Sequence, residues 1–586
     1  MILSALCEYY DLLSKVEGSG ISPIGYQKVS ANYVAVIDED GELKDIISLK
    51  ELNEGRPQSV ITPLSMKKSA IAASPVCDNS EYIFGIKSKK GSKELSEKKF
   101  EAAKTLHMDM FKDANSKEAK AVYSFFEKWD IESAWENGHI LKHYSEKGDS
   151  FTGNILFRLE GSRIYFHDVP EIADIWKKYI EIEKEDKNSY ESQCSVTGKI
   201  EPISNVHRKL SGIKDASTMG ASLVCFKKDS DQSYGLKQSI NSAVGETAAF
   251  KYSTVLQMML SNPDQKLFIG DATTVFWAEK AESDYNDIFK TMLDSPEESE
   301  DESEAEDRQI RETVKSILKD GIKGVYNNAL LEKDANFYVL GLSPNAGRTS
   351  VRFFYNSTFF TFCDKIKQHY DDISIYGGSK GREYIKTWSL LHATANSKSN
   401  DKKVNPLLGG AVTRAILTGS QYPRILLDQT IIRIKAETEI TQPRAAIIKG
   451  FIVRKNRLSN KEEEIGMSLN EKTTNSAYVL GRTFSILEMI QKNALGDGIN
   501  ATIKDKYFAS ACSNPALVFP NLLKLAQHHL AKIEGNYWNI KLAECLSLLE
   551  SESFPKTLNM ENQGRFILGY YQQNQKNYEK REKESI

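Results

Sequence analysis

Cysteine is scarce in this sequence and shows no paired spacing: seven residues, an odd number, are scattered along 586 positions. That excludes a disulfide framework and fits a reducing compartment. Long apolar runs are missing too, and a membrane span needs roughly 18 such residues. The opening residues lack the basic stretch of a secretory signal, and Glu8 and Asp11 interrupt their apolar pattern. A cytoplasmic chain with no membrane attachment is expected. Positive charge is not in excess either: 77 Lys and Arg stand against 80 Asp and Glu, a formal net of −3. A protein that holds nucleic acid by bulk electrostatics is ordinarily basic. Any such role here must rest on local patches, or on partners that carry the charge.

Complete catalytic patterns are also lacking. There is no phosphate-wrapping Gly-x-x-x-x-Gly-Lys-Ser/Thr loop, no serine nucleophile elbow and no His-Glu-x-x-His pair. Gly377-Gly378-Ser379-Lys380-Gly381 is glycine-rich but has neither that spacing nor the paired aspartates of a polymerase palm. Cys194-Ser195-Val196-Thr197-Gly198 resembles half of a zinc knuckle, yet zinc normally takes four ligands and only His207 lies near. A tight turn around a buried thiol is the expectation. His167-Asp168 has no spaced histidine companion, so a metal-dependent hydrolase is not supported. No catalytic residue, metal or cofactor is expected.

What is present reads as an α+β chain: a mixed N-terminal sheet and helix region followed by a mainly helical C-terminal bundle. Ile2, Leu3, Leu6, Tyr9, Tyr10 and Leu13 keep the spacing of an amphipathic helix. Tyr33 to Ile37 predicts a strand, and Asp40-Gly41 predicts a turn into the apolar stretch from Leu43 to Leu49. A second strand pair is expected at 155–159 and 163–167, around Glu160-Gly161-Ser162, with helix over much of 96–135 between the two pairs. Residues 295–307 carry eight acids among thirteen and predict a disordered linker or loop, because such a block repels itself. Beyond residue 400, Ala477, Leu480, Phe484, Leu487 and Ile490 form one helical stripe and Leu522, Leu525, Leu530 and Ile533 another, with Pro515 and Pro520 breaking the chain between them. The acidic block sets residues 1–294 apart from those after 307.

Two clusters suit nucleic acid. Between Ala411 and Arg457 nine Lys or Arg meet three acids, a local net of +6 in a chain that is negative overall. Arg433, Lys435, Arg454, Lys455 and Arg457 belong to it, and a stripe of this kind suits sequence-blind phosphate contacts. Near the N-terminus, Lys67-Lys68-Ser69 precedes Cys77-Asp78-Asn79-Ser80. Lysine anchors phosphate there, while Ser69 and Asn79 have the groups to hydrogen-bond base edges.

The order of several motifs resembles the large subunit of the type I-C CRISPR surveillance complex, Cascade. They include Cys194-x-x-Thr197-Gly198, His207, Gly220-Ala221-Ser222-Leu223-Val224, Ser233-Tyr234-Gly235 and Asn241-Ser242-Ala243-Val244. Gly270-Asp271, Val275-Phe276-Trp277, the run from Leu340 to Phe353, Phe554-Pro555 and the run from Gln563 to Tyr571 continue the series. The resemblance implies a non-catalytic DNA-binding subunit of an RNA-guided complex. Such a subunit checks the protospacer-adjacent motif, promotes R-loop formation, stabilises the displaced strand and helps recruit a separate helicase-nuclease. The implied partners are guide RNA (crRNA) within the complex, double-stranded DNA target, and the backbone, handle-binding and small subunits. It places Lys67, Lys68, Ser69 and Asn79 at the flanking duplex, with Gln238 and Asn241 as further polar contacts. Ser343-Pro344-Asn345 is expected to turn and Thr349 to Phe353 to form a strand, with Arg348 as a candidate backbone contact. Arg433, Lys435, Arg454, Lys455 and Arg457 become candidates for the displaced strand. The family also suggests that Met467, downstream of Lys461-Glu462-Glu463-Glu464, starts a separately made small subunit of about 120 residues, which divides 308–466 from 467–586. A metal-dependent nuclease using His167 or Asp168, and a scaffold without DNA contacts, are the alternatives.

Overall fold

The computed structural model describes residues 1–64, 71–185, 190–280, 284–294, 305–320, 331–332, 334–345, 347–378, 381–397, 404–461, 465–496, 500–549 and 554–584. They fall into two compact units, one made of 1–208 and 224–258 and the other of 209–223 and 259–586. Lys67, Lys68 and Ser69 lie outside the described residues, as does most of the acidic 295–307 segment, whose last residues open the helix Ala305–Asp320.

The first unit is built on the strand Tyr26–Ile37. Its first half pairs antiparallel with Gln58–Pro63 and its second half with Leu43–Ser48, while Asn154–Leu159 runs parallel along its other side. Side chains alternate across the sheet: Ala35 and Ile37 enter the larger core, and Val34 and Val36 the smaller one. The larger core includes Phe100 of the helix Glu97–Phe111 and Phe125 and Phe126 of the helix Lys117–Lys128, packed against Phe157. The turn at Asp40-Gly41 forms as expected, with Gly41 at φ 82°. The expected hairpin of 155–159 with 163–167 does not: only Arg158 and Tyr165 bridge, and Phe166–Asp168 is a 3-10 turn. On the side away from the central strand, Cys77–Asn79 already pairs with residues 154–156, and the returning chain makes only the single Arg158–Tyr165 bridge before it enters the 3-10 turn.

The second unit holds a four-stranded antiparallel sheet in sequence order: Lys266–Ile269, Ala272–Ala278, Asn336–Asn345 and Arg348–Thr358. The turn expected at Ser343-Pro344-Asn345 sits further along. Ser343 and Pro344 stay in register with Ser350 and Thr349, and the chain reverses between Asn345 and Arg348, where Gly347 takes φ 83°. The segment 209–223 belongs to this unit and bridges Ser222 to Arg348. All described elements after Thr358 are helices, so the α+β reading with a mainly helical C-terminal part holds.

In that part the helix Ser476–Leu495 is the most enclosed, with an unbroken buried run from Ala477 to Ile490. It packs on the helix Met560–Glu584 at two glycines: a Cβ at Gly481 would stand 1.9 Å from the Phe566 carbonyl oxygen, and one at Gly569 2.1 Å from that of Tyr478. Pro520 does not break the chain but sits inside the helix Pro515–Leu530. The cost of one missing backbone donor is offset by burial of Phe519 and Leu522 beside it. Among the described residues no helix is long and apolar enough to cross a membrane.

Candidate nucleic-acid interface

Asn79 ends a tightly constrained segment. The buried Asp78 carboxylate accepts the Ser74 backbone N–H at 2.8 Å and the Asn79 N–H at 2.8 Å. Val76 has φ 52°, a conformation that β-branched residues rarely adopt. His107 holds it there: Nε2 accepts the Val76 N–H at 3.0 Å, and Nδ1 lies 2.7 Å from the Ala103 carbonyl oxygen. Asn79 caps the short helix Ser80–Ile83, its side-chain oxygen accepting the Glu81 N–H at 3.0 Å. Glu81 in turn is neutralised by Lys99 at 2.7 Å, so the carboxylate next to Asn79 brings little uncompensated repulsion.

Gln238 and Asn241 divide the work of a second loop. The Asn241 amide is engaged on both sides: its oxygen accepts the Ser233 N–H at 2.9 Å, and its nitrogen donates to the carbonyls of Leu236 and Gln238 at 2.9 and 2.8 Å. Asn241 therefore shapes the loop. Gln238 is exposed with φ 49°, and Tyr234, at φ 53°, is 99% exposed. The loop presents an amide and an aromatic ring on a backbone that the Asn241 side chain helps to hold in place.

The basic stripe of 411–457 proves to be largely internal. Arg454 is fully buried on the helix Gln442–Leu458; its Nε donates to Asp372 at 2.8 Å, Nη1 donates to the Ala415 carbonyl at 2.7 Å, and its plane lies 4.0 Å from the Tyr422 ring centroid. Arg457 shares Asp372 through both terminal nitrogens, at 2.5 and 2.9 Å, and that bond holds its guanidinium more firmly protonated than usual. Lys455 pairs with Glu561, and Lys435 donates to Ser513 at 2.6 Å and Gln563 at 3.2 Å. Arg444 pairs with Glu437 in the interior, and Lys449 donates to the Asp372 carbonyl at 2.8 Å. A local charge count cannot detect this arrangement, because Asp372 and Glu561 lie far outside the window that sums to +6. Arg454 has no surface to offer a DNA strand. Arg433 is half-buried on the helix Arg424–Glu437 and makes no ion pair among the described residues. Arg348 opens its strand beside the Ser222 bridge, and Arg352 is bound across the sheet to Asp271 at 2.6 Å.

The expected turn around a buried thiol is present. Cys194 Sγ accepts the backbone N–H groups of Val196 and Thr197, each at 3.4 Å, and of Gly245 at 3.2 Å. His207 lies 2.6 Å from the Tyr252 hydroxyl, and burial pushes its pKa down to about 4. Burial also lowers that of His167, with Asp168 opposing the shift from 3.5 Å. Among the described residues no group of three metal-ligating side chains converges.

Sequence reasoning passes over one cluster. Lys87, Lys89, Lys90 and Lys93 stand on a hairpin directly after the helix that Asn79 caps. Its signal is lysines crowded around Gly91 without an intervening acid.

A search of curated proteins returned no match. A family model described as CRISPR-associated protein (Cas_Csd1) matches residues 6–578, nearly the whole length. The chain therefore belongs to the Cas_Csd1 family, that of the large subunit of type I-C Cascade.

Proposed function

We propose that this chain is the motif-sensing, non-catalytic large subunit of its RNA-guided complex. Guide pairing reads the long target, and the chain reads a short flanking duplex. Asn79 reaches base edges from a backbone fixed by Asp78 and His107, and Gln238 does so from the loop that Asn241 closes. Lys67, Lys68 and Ser69 precede this frame as phosphate and base contacts. Arg348 and Arg433 steer the displaced strand, in which Arg454 has no part. Opening of the duplex and docking of a helicase-nuclease follow from the same placement at the edge of the target. The observation that carries the reading is the match along residues 6–578, which makes CRISPR RNA and other Cas subunits the natural partners.

The test is duplex binding by the purified assembly, with and without this chain, on targets whose flanking bases are varied. Preference for one flanking sequence should require the chain. Asn79→Ala and Gln238→Ala should each flatten the preference by about 1–3 kcal/mol for every base edge left unread. Binding that needs the chain but ignores the flanking bases would point instead to a scaffold. DNA cleavage by the isolated chain that disappears in His167→Ala would point to a nuclease.

We also propose internal initiation at Met467, which the family suggests. Residues on either side of it are tied to the following bundle: the Gly466 carbonyl before it accepts from Gln572 at 3.0 Å, and those of Asn470 and Glu471 after it accept from Arg482 at 3.3 and 3.1 Å. A polypeptide starting at Met467 would keep the two bonds to Arg482. Met467→Leu should abolish a short product of about 120 residues while leaving the full chain; persistence of the short product would exclude this start.

A further inference from the structure

The lysine hairpin has the build of an anion-binding element. Ile86 and Lys87 pair antiparallel with Leu95 and Glu94. Between them, Lys90 at φ 50° and Gly91 at φ 78° give two successive left-handed residues, the geometry of a tight hairpin reversal. Four of the seven residues from Lys87 to Lys93 are lysines and none is acidic, in a chain whose overall charge is negative.

This tip is not a loosely solvated charge run, because its backbone is pinned on several sides. The Lys90 N–H donates to Asp149 at 2.8 Å, the Gly91 N–H to the Gly148 carbonyl at 3.0 Å, and the Tyr144 hydroxyl to the Gly91 carbonyl at 2.5 Å. A Cβ at position 91 would lie 2.1 Å from the Glu146 carbonyl oxygen, so the reversal fits closely against its neighbour. Trp135 Nε1 donates to the Glu94 carbonyl at 3.2 Å, and the Lys93 ammonium rests 4.7 Å from the Tyr144 ring centroid and 5.7 Å from that of Trp135. Lys87 has only a loose partner, Glu94 at 3.6 Å. Lys89 and Lys90 are exposed and form no ion pair among the described residues. The base of the hairpin joins the Asn79 helix directly: Ser80 Oγ donates to the Ile86 carbonyl at 3.1 Å, and the Ser96 N–H to that of Gly85 at 2.7 Å.

We infer that this hairpin grips the phosphate backbone of the duplex that Asn79 reads, with Lys89, Lys90 and Lys93 as the contacting cations. The inference rests on the motif-sensing reading above. Its chemistry is a row of ammonium groups on a pre-ordered turn, which contributes affinity without sequence preference. Holding the backbone rigid removes the ordering cost that a free lysine tail would carry on binding.

The experiment is duplex binding by the assembled complex across a salt series, comparing the natural chain with a Lys89→Ala, Lys90→Ala, Lys93→Ala triple variant. Every phosphate that a lysine no longer neutralises should reduce the slope of log affinity against log salt by about 0.9, so the triple variant should flatten it by about 2–3. Its ratio of affinities between good and poor flanking motifs should stay unchanged. A Lys→Arg triple variant should restore the slope. An unchanged slope in the alanine variant would overturn the inference while leaving motif sensing intact. Failure of the alanine variant to assemble or to retain guide RNA would also overturn it, by assigning the lysines to a different partner. Absence of motif preference in the natural complex would instead refute the reading on which the inference stands.

Discussion

His107 can do its work only while uncharged. Nε2 must accept from Val76 N–H, and Nδ1–H then donates to the Ala103 carbonyl, so both ring nitrogens are committed in a buried ring stacked 4.2 Å from Phe126. Burial pushes its pKa down to about 4, below the usual 6.5. The unfolded state therefore binds more protons between those values, and stability falls as pH drops through that window. The shift corresponds to about 3 kcal/mol at its acid limit, and His207 acts in the same direction. Urea melts at pH 7 and pH 5 should show about 2 kcal/mol of this loss in the first unit, and His107→Gln should make the melt less pH-dependent although weaker at neutral pH. Asp372 is the counterpart in the second unit. Its carboxylate is 1% exposed and holds both Arg454 and Arg457, so Asp372→Ala leaves a buried guanidinium unpaired. Such a loss costs about 3–5 kcal/mol, readable as a lowered midpoint of chemical unfolding.

At the scale of elements, the packing of Ser476–Leu495 on Met560–Glu584 depends on residues without side chains. Gly481 and Gly569 each face a carbonyl of the opposite helix, and no rotamer change can remove the clash that a methyl group would bring. Gly481→Ala should destabilise by at least the roughly 1–3 kcal/mol of ordinary overpacking, whereas Gly496→Ala, with open space around it, should show only the backbone cost of its φ of 71°. Comparing the two by chemical denaturation separates interhelical crowding from local strain. The stripe from Ala477 to Ile490 was legible because apolar residues repeat at helical spacing. The glycine approach was not, because sequence does not say which backbone lies opposite. The failed hairpin at 163–167 has the same origin: the sequence suggested a strand, but Cys77–Asn79 takes the first half of the edge it would have joined, and a 3-10 turn ends its approach after one bridge.

At the scale of the molecule, the α+β class and the passage from sheet to helices were readable from periodicity, and the family from the order of motifs. The chemistry of the stripe was misleading, since Arg454 and Arg457 meet Asp372 more than eighty positions away. The proposed start at Met467 has a similar hidden side. Residues 467–586 keep their own contacts, yet Gly564 packs beside Ile448, Leu427 and Ile431 upstream. A polypeptide made from Met467 alone would expose that apolar face. Its isolated form should bind a hydrophobic dye more strongly than the same residues within the full chain, and equal dye binding would argue against this face.

The interleaving of the two units along the chain bears on how the protein is made. The polypeptide passes from one unit to the other after residues 208, 223 and 258. As it leaves the ribosome, the strap at 209–223 emerges more than a hundred residues before Arg348, the residue to which Ser222 bridges, so that strap must wait for its sheet. Once complete, the protein has three covalent tethers between its units, and a protease that cuts one of them still leaves two.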